Sequence, residues 1–288
     1  MKHAIKWLAI MAVIASCVMT SQTQAEEGFY SSVDLLFLSP KLNAVGFNNI
    51  FYLESPAVPQ SIDGNTDADL QFSQRVIVGY EGDQGGGVQV RWFSFDNDAD
   101  YNGSGEDSIN GNIPISGLLN FDVDAIDAEL TQRGKFQVWD WMATAGARYA
   151  RVDIRNGANG AFDWTGFGDA AWFGLAGMKF EGAGPTVSVR GSREILWEGF
   201  EFYGSARTAL LYGDIAVNST FRVNGGPIVI NDVFAQVWEI QTGVRMEHEF
   251  DAFDLICGIF WEAQRWDNDS GVGEFALHGF GVNTGIRY

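Results

Sequence analysis

The chain is short of basic charge, cysteine and proline, and beyond its N-terminal leader it has no long apolar run. Among 288 residues, 18 are Lys or Arg against 37 Asp or Glu, a formal charge of −19. That surplus excludes unaided binding to nucleic acid or to anionic membrane surfaces, since both demand a basic face that releases counterions. Two cysteines, Cys17 and Cys257, leave no disulfide framework. Past the leader, no stretch approaches the roughly 20 apolar residues of a transmembrane helix, so any membrane crossing is made by strands. What abounds is glycine, 35 copies, with 22 Phe, 10 Trp and 8 Tyr. Aromatics at that density exclude disorder. Glycine costs about 1 kcal/mol at each helix-interior position, which disfavours a helical protein. An aromatic, Gly-rich, all-β chain remains, of a length that suits one barrel.

Residues 1–25 read as an export signal. Lys2 and Lys6 form the basic region, residues 7–16 the apolar region, and Thr23-Gln24-Ala25 a small-x-small cleavage site. Ile14-Ala15-Ser16-Cys17 also resembles a lipobox, which would place a lipid on Cys17 instead. Cleavage after Ala25 leaves residues 26–288 as one domain with a single thiol, Cys257. Loss of Lys2 and Lys6 then moves the charge from −19 to −21.

Alternation of period two recurs along that domain. Trp139, Trp141, Ala143, Ala145, Ala147 and Tyr149 oppose Asp140, Met142, Thr144, Gly146 and Arg148. Phe280, Val282, Thr284, Ile286 and Tyr288 oppose Gly281, Asn283, Gly285 and Arg287. Ten strands are predicted, at 29–38, 70–80, 87–96, 118–132, 136–152, 172–192, 200–212, 233–248, 254–266 and 274–288, within a range of about 8–12. A change of phase near Asp124-Ala125 predicts a β-bulge, and Gly182-Ala183-Gly184-Pro185 reads as a bulge or a turn. Short connections at 81–86, 133–135, 193–199 and 249–253 alternate with long ones at 39–69, 97–117, 153–171 and 213–232, with a shorter fifth at 267–273. That alternation is the plan of an up-and-down antiparallel outer-membrane β-barrel, with short periplasmic turns and longer outer loops. Apolar rows then face lipid and polar rows line the lumen. Trp139, Trp141, Trp172, Tyr212 and Tyr288 are expected in interfacial girdles.

The segments "GFYSSVDLLFL", "DAIDAEL", "WMATAGARYARVD", "FEGAGPTVSVRGSRE", "FYGSARTALLYGD" and "WEAQRW" follow one another in this order. Together they resemble the Legionella major-outer-membrane-protein-like pore-forming family, found also in planctomycetes. The resemblance implies an integral outer-membrane barrel assigned to passive permeation. Its implied partners are outer-membrane lipid, the barrel-assembly machinery and periplasmic chaperones, with no cofactor.

The predicted pore-lining residues are Arg75, Arg91, Asp127, Glu129, Asp140, Arg148, Arg207, Glu239, Arg245, Glu262 and Arg287. Asp34, Glu201, Glu247, Lys179 and Arg190 fall on the same inferred rows. Arg148, Arg207, Glu239 and Arg245 are expected to meet at mid-lumen. Such a set is either a constriction that sorts solutes by field or a salt-bridged network filling a narrow barrel. Asp96, Asp98, Asp100 and Asp107 match some calcium-loop positions, but Tyr101 stands where the sharp turn wants Gly, so a solvated acidic loop is the expectation and no metal is predicted. The mature histidines, His248 and His278, lie away from any outer-rim nucleophile, so no enzyme is expected. The row Phe280, Val282, Thr284, Ile286 and Tyr288 reads as the assembly signal. The expected function is a porin-like passive channel for small solutes; the alternative is a narrow, largely closed structural or adhesive barrel with acidic surface loops and no transport role.

Overall fold

The computed structural model describes residues 27–42, 61–67, 69–107, 111–162, 170–195, 199–219, 228–270 and 274–288. The expected signal at 1–25, with Cys17, lies outside them, as does the side chain of Trp172. The strands are β1 (Gly28–Leu42), β2 (Ser61–Asp67), β3 (Gln71–Glu81), β4 (Gly86–Asp107), β5 (Gly111–Phe136), β6 (Trp139–Phe162), β7 (Ala170–Glu194), β8 (Phe200–Ser219), β9 (Ile228–Glu249), β10 (Asp254–Asn268) and β11 (Phe275–Arg287). All pairings are antiparallel, and ten strands close into a barrel in the order β3-β1-β11-β10-β9-β8-β7-β6-β5-β4, with β4 returning to β3. The ten match the strands read from alternation. The additional β2 lies along Asp100–Glu106 of β4, beyond the end of β3.

The strands run further than alternation suggested. β5, β6 and β7 have 26, 24 and 25 residues, whereas β3 has 11. At about 3.3 Å per residue and a tilt near 40°, β3 rises roughly 28 Å and β5 roughly 65 Å. The first suffices for the membrane; the second projects far beyond it. Most of the predicted loops at 97–117, 153–171 and 213–232 are therefore strand, and residues 108–110, 163–169 and 220–227 lie outside the described ones.

Three local expectations are corrected. No bulge occurs at Asp124-Ala125, because Asp124 stands opposite both Ser94 and Arg151 in unbroken register. The register shift falls instead between Gly213 and Ile215. Gly182 to Pro185 remain in β7, paired with β6, while the β8 ladder skips Gly184 and Pro185, as a residue without an N–H allows. The β5–β6 turn sits at Gln137-Val138 rather than 133–135, with Gln137 held at φ 57°.

Outward residues define the membrane belt. Two aromatic groups stand eight residues apart on β3, with Tyr80 beside Phe29 (centroids 5.0 Å) and Phe72 beside Phe37 (6.1 Å). Phe250, Phe253 and Tyr288 extend the lower girdle, and Tyr212 with Phe234 the upper one. Val78, Val88, Val90 and Leu130 lie exposed between them. Amphipathic rings at both interfaces flanking an apolar band are the outer surface of a transmembrane barrel.

Candidate functional site

The lumen is built in layers. Where a strand is inside the membrane, its inward row is polar; where it projects, its inward row is apolar. On β4 the inward sequence is Gln89, Arg91, then Phe93 and Phe95, all buried. On β5 it runs upward from Glu129 and Asp127 to Ala125, Val123 and Phe121, and on β6 from Arg148 to Ala150, Val152 and Ile154. Outward residues switch the opposite way, from Trp92 to Asp96 and Asp98, from Tyr149 to Arg151 and Arg155, and from Tyr212 to Asp214. This exchange of polarity explains the false bulge at Asp124-Ala125. The environment changes there on both faces, and the backbone does not.

The middle layer is a closed ion-pair network. Arg148 reaches Asp127 Oδ1 at 2.5 Å and Glu239 Oε1 at 2.7 Å, and its side chain is 0% exposed. Arg91 joins the same two carboxylates at 2.8 and 2.6 Å. Arg207 pairs with Glu129, which also accepts from Gln89 Nε2 and from Thr144 Oγ1. Arg75 bridges Asp34 at 3.0 Å and Glu262 at 2.5 Å. Glu262 accepts from Gln264 Nε2 at 2.7 Å, and Gln264 in turn accepts from Trp266 Nε1 at 3.2 Å. Charges taken out of water are tolerated when partners and hydrogen bonds satisfy them, as here.

Above this layer lies the apolar one. The Arg75 guanidinium lies 5.5 Å from the Phe93 ring centroid. Phe275 stacks on Trp266 at 5.6 Å and meets Phe121 at 5.8 Å. Leu36, Leu38, Phe95, Phe121, Val123, Ile154, Leu211, Ile215 and Val217 are 0% exposed. Gly281 makes room for the buried Phe260, which lies below Glu262 on β10, since a Cβ on the glycine would meet the Phe260 ring at 2.5 Å.

Below the network, towards the termini and short turns, lies a cavity of about 110 Å³. Its wall includes Arg133, Arg190, Arg245, Arg287, Tyr203 and Gln241. Arg133 pairs with Glu81 at 2.9 Å, Arg245 with Glu201 at 2.7 Å and Arg287 with Glu247 at 3.1 Å.

Of the predicted pore-lining residues, Arg75, Arg91, Asp127, Glu129, Arg148, Arg207, Glu239 and Glu262 meet in the middle layer. Arg245 and Arg287 line the lower cavity, so Arg245 does not join Arg148, Arg207 and Glu239 as expected. Asp140 pairs with Lys135 near the β5–β6 turn at 3.3 Å, away from the network. Lys179 is corrected to the outer face, where it meets Glu181 at 2.6 Å, because the inward row of β7 is Met178, Phe180 and Gly182. There, outside the membrane-spanning segment, the hydrogen bond from Lys179 holds the Glu181 carboxyl below its ordinary range. Burial and the neighbouring Asp124 and Asp96 raise that of Asp122. The Glu81–Arg133 pair and the apolar layer were missed; the exchange of polarity along each strand was the available signal. Asp96 and Asp98 lie on extended strand, not in the curled loop that a calcium ligand set requires. The side chains of Asp100 and Asp107 are outside the described residues.

Residues 22–273 match the model of the Legionella pneumophila major outer membrane protein precursor family. The chain belongs to this family. Membership, the barrel and its aromatic girdles make it an integral outer-membrane protein. No match emerges among curated proteins. The outer membrane protease OmpT from Escherichia coli is similar in fold, with a TM-score of 0.56 at 11% identity, covering 93% of this chain and 99% of that one. The toluene transporter TbuX from Ralstonia pickettii gives a TM-score of 0.29 at 8% identity, over 94% of this chain and 92% of that one. The OmpT likeness is one of architecture, as its identity allows.

Proposed function

We propose that this family member serves the outer membrane as a narrow, sealed barrel, and that it is not an enzyme. The observation carrying this reading is the pair of stacked lumen layers, in which Arg148 and Phe121 are both shut off from water. A solute crossing from outside would have to displace well-packed apolar side chains and then open buried ion pairs, each step costing several kcal/mol. The strong negative charge of the chain then acts at the surface, in solubility and contact, rather than along a conduction path.

A porin-like passive channel for small solutes is the second reading, favoured by the cavity that enters the lumen from the periplasmic side. In that case the middle layer is the gate. Planar-bilayer recording of the refolded protein separates the two. The sealed reading expects no steady current above the bare bilayer. A reproducible unitary conductance overturns it in favour of the channel.

The outward C-terminal row is proposed as the contact with the barrel-assembly machinery. Phe280, Val282 and Tyr288 are exposed on the lipid face, and the Tyr288 N–H donates to the Phe29 carbonyl at 2.9 Å, tying the last strand to the first. Tyr288→Asp is expected to leave unfolded protein in the periplasm; normal heat-modifiable migration of the variant would count against that assignment.

A further inference from the structure

We propose that the periplasm-facing cavity is an oxyanion site centred on Arg190. Eight arginines point into the lumen: Arg75, Arg91, Arg133, Arg148, Arg190, Arg207, Arg245 and Arg287. Seven have a carboxylate within 4.0 Å; among the described residues Arg190 has none. Its Nε is buried without a hydrogen-bond partner. It lies against the Tyr203 ring, 5.7 Å from guanidinium carbon to centroid, and Arg245 approaches the same ring at 6.0 Å. Two like charges thus share one aromatic ring, and only Arg245 is neutralised, by Glu201.

An unpaired guanidinium in a confined, partly desolvated space is costly, and its neighbour on the Tyr203 ring is a second cation, while Asp34 on the same cavity wall is already engaged by Arg75. Among the described residues, every other lumen arginine is answered by a carboxylate of the chain. Here the missing counter-charge is matched by open space. Arg190, Arg245 and Gln241 all reach the cavity wall, and about 110 Å³ accommodates a phosphate or the carboxylate of a small solute. The planar fork of arginine suits either group, because both present paired oxygens to parallel N–H donors. The cation–π contact with Tyr203 holds Arg190 in place without neutralising it.

The site is independent of whether the barrel conducts, so its test contains no current measurement. The full-length barrel, refolded in non-ionic detergent, is titrated calorimetrically with inorganic phosphate and separately with acetate at constant ionic strength. Saturable one-to-one binding of at least one of the two is expected. Phosphate alone would point to phosphorylated solutes, and acetate to carboxylates as well. Arg190→Gln is expected to weaken binding at least tenfold while leaving heat-modifiable folding intact, since it removes a charge that has no carboxylate within 4.0 Å among the described residues. Arg190→Lys keeps the charge, loses the fork, and is expected to weaken binding at least threefold; it carries the test should the Gln variant not fold. Absence of saturable binding to the wild-type protein, or unchanged affinity in the folded variant, overturns the proposal.

Discussion

The membrane-embedded half of the barrel and its projecting half obey opposite rules. In the lower half, Val88, Val90 and Leu130 face outward and Gln89, Arg91 and Glu129 face inward; in the upper half, Asp96, Asp98 and Arg155 face outward and Phe95, Phe121 and Ile154 inward. One backbone, one register and one set of strands carry both arrangements. The lower half resembles a water-soluble protein turned inside out, and the upper half is a soluble β-barrel with its own core. What decides polarity is the solvent outside each level. Once that solvent is lipid, the only place for charge is the interior, where it has to be paired.

The two halves should therefore fail differently. The largest effect is expected from Arg148→Ala, which leaves Asp127 and Glu239 short of a buried partner and should cost about 3–5 kcal/mol. Loss of the folded band in a urea series, followed by heat-modifiable migration, measures it. In the upper half, Ile154→Ala removes fully buried methyl groups and should cost about 2–5 kcal/mol in the same assay. An effect under about 1 kcal/mol there would deny that the projecting half has a packed core.

Outward substitutions sharpen the boundary. Leu130→Lys places a charge in the apolar band and should cost about 2–4 kcal/mol. Asp96→Lys, on the outer face of the projecting half, should stay within about 0.5 kcal/mol of wild type. Equal costs at both positions would mean that the membrane border is misplaced. The smallest expected effect is at the β5–β6 turn, where Gln137 holds φ 57°. Gln137→Gly should raise stability by about 0.5 kcal/mol, the relief of a left-handed side chain less the extra chain entropy of glycine.

Ten strands, their order and the charged lumen residues of the middle layer were legible from period-two alternation alone. Alternation failed where both solvents changed together. At Asp122 to Ala125 the expectation that apolar means lipid-facing forced a bulge into a continuous strand. The same assumption put Lys179 in the lumen and read the acidic stretch from Asp96 as a loop. Which arginine meets which carboxylate was not legible either. Arg91 and Glu239 become neighbours only because the barrel is narrow enough for side chains to span it, and that depends on closure rather than on local pattern. Arg190 was placed on the correct face, but its lack of a partner is a property of the assembled interior.

Two ion pairs of the middle layer join positions far apart in the chain. Arg75 and Glu262 are 187 residues apart, and Arg91 and Glu239 are 148. No hairpin brings such residues together, so these contacts appear only when the first strands have met the last. Until then Glu262 and Glu239 lack Arg75 and Arg91, and a half-zippered sheet entering lipid would carry part of its lumen charge unanswered at great cost. The charge layer thus acts as a folding checkpoint. It penalises every partly assembled form in the bilayer and favours insertion that is concerted with closure, a late and topologically slow event.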